Sequence, residues 1–209
     1  KLGRNTEALA MAKESVALAP KEAYPYQLLA LMQSRAGDFN EAIRVSEQAR
    51  ALVPDDAQLL NNLGAYYLEA NDVTRARGVM QQALVLSPEP ANTRFNLGLA
   101  DLKQGDFVSA QGNFTWILER NPEDEGARVN YGFSLAKQKK FEDAISAWKE
   151  ALNRNPRLVI AKNNIGVALF ELGRFDEAAL AFGDAIIEDE SFAASYNNLA
   201  ASYMQQGKI

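Results

Sequence analysis

The stretch Asn61-Asn62-Leu63-Gly64-Ala65-Tyr66-Tyr67 carries a pattern that recurs along the chain. Its central part, an asparagine followed by an apolar residue and then by glycine or alanine, returns every 34 residues. The later copies are Asn96-Leu97-Gly98, Asn130-Tyr131-Gly132, Asn164-Ile165-Gly166 and Asn198-Leu199-Ala200. Self-similarity at a fixed period of this length indicates a repeat architecture.

Two more markers keep the same period. They are an alanine at Ala8, Ala42, Ala76, Ala110, Ala144 and Ala178, and a proline at Pro20, Pro54, Pro88, Pro122 and Pro156. With the proline numbered as position 32, complete repeats cover 23–56, 57–90, 91–124, 125–158 and 159–192. Residues 1–22 end an earlier repeat, and residues 193–209 form the first helix of a later one. The sequence therefore predicts a single array over residues 1–209.

Each repeat is predicted to contain two helices. In repeat 57–90 the first helix has apolar residues at i, i+3, i+4 and i+7, the pattern of an amphipathic helix. A turn pair such as Gly37-Asp38 follows, and the second helix ends before the proline, which cannot continue a helix. The small residues of the repeat leave room for bulky side chains of the partner helix. Those bulky residues are Met80, Phe114, Trp148 and Phe182.

Together these markers resemble the tetratricopeptide repeat family, and the resemblance covers the whole chain. It implies an all-α fold, a right-handed superhelical solenoid of helix–turn–helix repeats. Members of this family typically bind a peptide or another protein in a groove lined by the first helices. The chain departs from the family at position 4, where Leu60, Arg94, Arg128 and Lys162 replace the usual aromatic residue.

The composition argues against several other classes of protein. Cysteine and histidine are both absent, which removes disulfides, zinc sites with the usual ligands and imidazole catalysis. The net charge of −5 argues against a nucleic-acid partner. No apolar run approaches the ~20 residues of a membrane helix. We therefore expect a protein that is not an enzyme, with no cofactor or metal, no nucleic-acid partner and no membrane insertion.

Asparagines on the first helices define the candidate peptide-binding site. Position 6 is asparagine in five successive repeats, namely Asn62, Asn96, Asn130, Asn164 and Asn198, and position 5 adds Asn61, Asn163 and Asn197. The row resembles the asparagine ladder in the repeat domain of O-GlcNAc transferases, where such amides hold an extended peptide by its backbone. A primary amide suits this role because it pairs with both a peptide N–H and a C=O. The alternative is that these amides bond to the neighbouring repeat or to water.

Apolar and cationic side chains on the same helices each have two interpretations. The apolar residues Phe95, Leu99, Phe133 and Phe170 form either a track for ligand side chains or packing between adjacent first helices. The cations Arg94, Arg128 and Lys162 either recognise an acidic segment or are solvated heads on apolar stems. The carboxylate clamp known in this family needs Lys or Arg at positions 2, 5, 6 or 9, and none is present there.

Three biological roles fit this pattern. The first is a non-catalytic scaffold that holds a peptide or partner protein in its groove through the asparagine ladder and the apolar track. The second is the substrate-recruiting region of a larger, glycosyltransferase-like enzyme, and the third is an assembly factor of a bacterial pilus or secretion machine. Self-association through uncapped ends is a further hypothesis. We expect a soluble chain, cytoplasmic or, with a signal upstream of Lys1, periplasmic.

Overall fold

The part of the chain that the structure describes consists of twelve α-helices and contains no strand. The computed structural model describes residues 2–88 and 90–207, so the terminal residues of the predicted array, Lys1 and Ile209, lie outside it. The all-α fold predicted from the sequence is confirmed. The helices are α1 (Leu2–Leu18), α2 (Ala23–Arg35), α3 (Phe39–Leu52), α4 (Ala57–Glu69), α5 (Val73–Leu86), α6 (Ala91–Gln104), α7 (Phe107–Arg120), α8 (Glu125–Lys137), α9 (Phe141–Arg154), α10 (Val159–Glu171), α11 (Phe175–Glu188) and α12 (Ala193–Gln205).

The chain divides into two compact units, residues 1–105 and 106–209. In the first unit α2 packs on α3 and α4 packs on α5, so each pair is an antiparallel hairpin of one repeat. In the second unit α8 packs on α9 and α10 on α11, and α10 also contacts both α8 and α12. The second unit therefore places three first helices side by side.

The turn inside each repeat contains one residue in the left-handed conformation, with φ between 61° and 82°. A glycine suits this conformation because it has no Cβ. These residues are Gly37, Asn71, Gly105, Lys139 and Gly173. An aspartate follows in three repeats and caps the second helix; the Asp38 carboxylate, for example, accepts from the backbone N–H of Glu41 at 3.0 Å.

The second helices end at the same repeat position with or without the proline. Helix α11 ends at Glu188 although Glu190 occupies the proline position. Here the Asp189 carboxylate accepts from the backbone N–H of Ser191 at 2.9 Å and from its hydroxyl at 2.6 Å, and these hydrogen bonds lower the pKa of Asp189. Asn121 and Asn155 form the same side-chain turn beside Pro122 and Pro156, so this turn marks the helix end with or without the proline.

A glycine in the first helix lets the second helix approach closely. A Cβ atom added at Gly132 would lie 2.5 Å from Nε1 of Trp148, which is closer than real Cβ contacts come. Trp148 is 2% exposed, and its indole N–H donates to the carbonyl of Val129 at 3.0 Å, so the ring has little freedom to move. The same contact joins Gly64 to Met80 and Gly166 to Phe182, as the sequence predicted.

We expect the Gly132→Ala substitution to lower the free energy of unfolding by ~1–3 kcal/mol, because the added methyl group overpacks the contact with Trp148. Gly112→Ala is the matched control, since a Cβ at that helical glycine meets no atom within 4 Å. The control should stabilise the protein by ~0.5–1 kcal/mol through the unfolded state. Urea unfolding followed by helical circular dichroism measures both, and an equally stable Gly132→Ala variant would contradict the packing argument.

One contact between successive repeats involves a buried tyrosine. The Tyr67 hydroxyl of α4 donates to the Glu47 carboxylate of α3 at 2.7 Å, and the guanidinium of Arg75 lies 4.6 Å from the Tyr67 ring centroid. Burial, with the adjoining Glu47 carboxylate, raises the pKa of Tyr67 to about 12. The protonated hydroxyl is therefore favoured in the folded protein.

We expect stability contributed by Tyr67 to be present below the ordinary tyrosine pKa of about 10 and to be lost as the pH rises toward about 12. Tyr67→Phe lacks this hydroxyl. Between pH about 10 and about 12 its free energy of unfolding should therefore fall by ~1–2 kcal/mol less than that of the parent protein. Chemical denaturation at a series of pH values tests this. The exposed Tyr203→Phe should follow the parent protein, and parallel curves for Tyr67→Phe would refute the assignment.

Candidate functional site

The first helices of the second unit enclose two neighbouring cavities. The first, here called the α8–α10 cavity, has a volume of about 260 Å³. Phe141 and Trp148 of α9 contribute to it from the second-helix layer. Its other lining residues are Phe133, Ala136 and Lys137 of α8, Lys139 of the following turn, and Asn164, Val167, Ala168 and Glu171 of α10.

The second cavity lies between the next pair of first helices and is called the α10–α12 cavity. Its volume is about 190 Å³, and its lining residues are Val167, Phe170, Glu171, Phe182, Asn198 and Ala201. Val167 and Glu171 line both cavities, so these two side chains stand between them. The cavities are therefore adjacent parts of one surface.

Corresponding repeat positions line both cavities. The amide at position 6 is Asn164 in the α8–α10 cavity and Asn198 in the α10–α12 cavity. The bulky residue of the second helix, at position 24 of the repeat, is Trp148 in the α8–α10 cavity and Phe182 in the α10–α12 cavity. In these two successive repeats the 34-residue period thus places one apolar cavity and one amide at equivalent positions.

Four of the residues predicted for the site lie at these cavities: Phe133, Asn164, Phe170 and Asn198. Asn164 is half-buried, and its amide has no hydrogen-bond partner among the described residues. The Phe170 ring packs edge-on against Phe175, with 5.1 Å between the ring centroids. The structure thus brings two amides and two aromatic rings of the prediction together.

The asparagines at position 5 have a different environment from those at position 6. Asn61 is 4% exposed and Asn163 is 7% exposed. The Asn96 amide donates to the Asn61 carbonyl oxygen at 3.2 Å, and the Asn198 amide donates to that of Asn163 at 3.1 Å. Asn163 also accepts from the Ser195 hydroxyl at 3.2 Å. For these residues the alternative interpretation applies, because their amides bond to the neighbouring repeat.

The remaining predicted asparagines are more accessible. Asn62 accepts from the Gln58 side chain at 2.9 Å, and Asn130 donates to the carbonyl of Gly126 at 2.9 Å. Each half-buried amide therefore uses one polar atom within its own helix and keeps the other. Asn197, at position 5 of α12, is exposed.

The two predicted apolar residues of the first unit, Phe95 and Leu99, are half-buried on α6. Leu99 packs against the apolar core that includes Leu60 and Leu63. Leu99 therefore contributes to packing between neighbouring repeats, the second of the two interpretations of the apolar track.

The cationic residues at position 4 bond within the protein. Arg128 forms an ion pair with Glu150 and donates to the Pro122 carbonyl at 2.8 Å. The Lys162 ammonium lies 2.8 Å from a carboxylate oxygen of Glu188. Arg94 likewise donates to the carbonyl of the proline six residues before it, at 3.4 Å. These contacts favour a structural role over recognition of an acidic segment.

Three charged residues of the site were not predicted from the sequence: Lys137, Lys139 and Glu171. Lys137 and Glu171 occupy position 13 of successive first helices. That position follows position 9, a predicted groove position, by one helical turn on the same face, and this spacing was the available signal.

Helical hairpins stacked by a fixed repeat, with cavities along the first helices, define a repeat-type interaction scaffold. The chain belongs to the tetratricopeptide repeat family, whose model matches residues 28–89, 95–148, 133–197 and 163–208. This confirms the family predicted from the sequence. The chain therefore has the fold of a protein-interaction scaffold.

Solved structures share this fold at low sequence identity. A structure described as "YrrB: a TPR protein with an unusual peptide-binding site" has 20% identity and a TM-score of 0.74, with 89% of this chain and 96% of that chain covered. MamA 41-end from Desulfovibrio magneticus RS-1 has 20% identity and a TM-score of 0.76, with 81% and 96% covered. A search of curated proteins found no match.

Two features are absent from the part of the chain that the structure describes. No helix in residues 2–88 or 90–207 is long and apolar enough to cross a membrane. Within those ranges, no three acidic side chains are grouped so that they could hold a metal ion.

We expect Asn163→Ala to lower the free energy of unfolding by ~1–3 kcal/mol, because it leaves the Asn198 amide and the Ser195 hydroxyl without their acceptor. Asn197→Ala, at the same repeat position but exposed, should change it by less than ~0.5 kcal/mol. Urea unfolding of both variants tests this difference. Equal effects would show that the inter-repeat hydrogen bonds contribute nothing specific.

Proposed function

We propose that this chain is a peptide-binding scaffold that holds an extended segment of a partner protein across the first helices of its second unit. One apolar side chain of the segment enters each of the two cavities, and Asn164 and Asn198 pair with its backbone. The observation that carries the proposal is the recurrence of an apolar cavity with an amide at the same repeat position in two successive repeats.

The chemistry of the surface suits such a ligand. Apolar cavities with a few polar groups are typical of ligand sites, and successive side chains on one face of an extended peptide require separate pockets. Burying one apolar anchor stabilises a complex by ~1.5–3 kcal/mol, and each amide contact adds ~0.5–1.5 kcal/mol. Ordering the flexible peptide opposes much of this gain. We expect an affinity in the micromolar range.

The two amides offer different groups to the ligand. Asn164 has its N–H₂ and its carbonyl oxygen available, so it pairs with both a peptide C=O and a peptide N–H. Asn198 donates to Asn163, so its carbonyl oxygen is the group left for a peptide N–H. The two amides pair with the backbone of the peptide and do not distinguish its side chains. The cavities therefore select the side chains.

Two further considerations support this function. YrrB, which shares the fold, is described as having a peptide-binding site. The first unit carries Asn62 and Asn96 at the same repeat position, with Phe95 and Leu99 beside them, and we extend the proposal to these residues by equivalence of position. Fold alone does not define function, so the proposal depends on the site in the second unit.

Selection of a random phage-displayed peptide library on the immobilised chain, followed by calorimetry with the selected peptides, tests the proposal. Val167 is 40% exposed and stands between the cavities, so Val167→Arg should weaken binding at least ~10-fold by obstructing both. Asn164→Ala should weaken it by ~2–12-fold through the lost hydrogen bonds.

Leu180→Arg is the matched control, because Leu180 lies on α11, is 71% exposed and lines neither cavity. It should leave affinity unchanged. Failure to select any peptide, or selected peptides that bind Val167→Arg as well as the parent chain, would reject this site.

A further inference from the structure

We propose that the partner segment carries an acidic side chain next to the apolar residue that enters the α8–α10 cavity. Lys137 and Lys139, at the edge of that cavity, hold the acidic group. This inference rests on the proposed function and specifies its ligand. The lining of the α10–α12 cavity contains no lysine, so charge is one of the features that distinguish the two cavities.

Both lysines are exposed beside the apolar lining of the cavity. The Lys137 ammonium lies 5.1 Å from the ring centroid of Phe133, so it is held over an aromatic wall. Lys139 occupies the left-handed turn position, with φ of 62°, which fixes the backbone from which it projects. Among the described residues neither lysine forms an ion pair.

Most other cations of the second unit already have carboxylate partners. These pairs are Arg120–Glu119, Arg128–Glu150, Arg154–Glu123, Arg157–Glu188, Lys162–Glu188 and Arg174–Glu142. The chain as a whole has a net charge of −5. Two lysines without ion pairs, against the single carboxylate of Glu171, therefore give the lining of this cavity a positive balance that fits an acidic ligand group.

Glu171 makes the charge differ along the surface, and this difference determines the orientation of the ligand. Position 13 is Lys137 at the α8–α10 cavity and Glu171 in the next repeat, where it also lines the α10–α12 cavity. A carboxylate on the ligand is attracted at the α8 end and repelled near Glu171. The acidic residue of the segment therefore lies on the α8 side of its two apolar anchors.

Helix spacing limits the distance between the anchors. Packed helices lie ~8–10 Å apart, so the two cavities are separated by about one such step. An extended polyproline II segment advances ~3.1 Å per residue and returns to the same face after three residues. The expected ligand pattern is an acidic residue, an apolar anchor and a second apolar anchor about three residues further along.

The test selects the same phage library on the parent chain and on the Lys137→Glu/Lys139→Glu variant. The parent should enrich Asp or Glu beside an apolar residue, and the variant should enrich Lys or Arg there. Lys149→Glu reverses one charge on α9, half the change of the double variant, at an exposed residue that lines neither cavity, and should select like the parent. The displayed peptides are joined to the phage through their C-terminus, so they have no free C-terminal carboxylate. Any selected acidic group is therefore a side chain.

The best peptide is then synthesised with an amidated C-terminus. Exchanging its acidic residue for lysine should weaken binding to the parent by ~2–5-fold for each lysine engaged, and the charge-reversed variant should recover that loss. The preference should diminish between about 50 mM and about 500 mM NaCl.

Failure of this inference is distinguishable from failure of the proposed function. One outcome is that the selected peptides bind the parent chain and lose affinity for Val167→Arg, but show no preference for an acidic residue. That outcome overturns the inference and leaves the proposed site intact. An acidic preference that persists in Lys137→Glu/Lys139→Glu also overturns it, because another group must then hold the carboxylate. Absence of any selected peptide rejects the proposed function itself.

Discussion

The close approach of the two helices within a repeat is the constraint on which the rest of the structure depends. At Gly132 there is no room for one methyl group beside Trp148, and the same contact recurs at Gly64 and Gly166. The bulky partners also line the binding surface, since Trp148 lies at one cavity and Phe182 at the next. Core packing therefore sets the shape of the candidate site, which rests on rigid helices rather than on loops.

Asparagines couple neighbouring repeats in this protein, and under the proposed function Asn164 and Asn198 also hold the ligand. Asn61 and Asn163 are buried at position 5, and their side-chain carbonyl oxygens accept hydrogen bonds from the next repeat. A buried oxygen without such a bond would destabilise the fold. Half-buried at position 6, Asn164 forms no hydrogen bond with the described residues, and the proposed function uses its amide to hold the ligand. In an array whose repeats contact only their neighbours, the buried amides help to couple one repeat to the next.

Under the proposed function, differences between repeats, rather than the features that all repeats share, select the ligand. In two successive repeats the shared architecture supplies a cavity and an amide, which under the proposed function suit any extended chain. The change from Lys137 to Glu171 at one repeat position makes neighbouring cavities unlike in charge. Specificity on a common scaffold arises from such local substitutions.

The sequence by itself determined the helix pairs, the turns between them and the contacts of Gly64, Gly132 and Gly166, because each depends on residue types that the 34-residue period repeats. It also located Asn164 and Asn198, which line the cavities. Only the tertiary structure decided that Asn163 is buried while Asn197 is exposed, and that Lys137 and Glu171 flank a cavity. Burial and pairing depend on side chains that reach across from the neighbouring repeat, and a periodic pattern alone does not specify them.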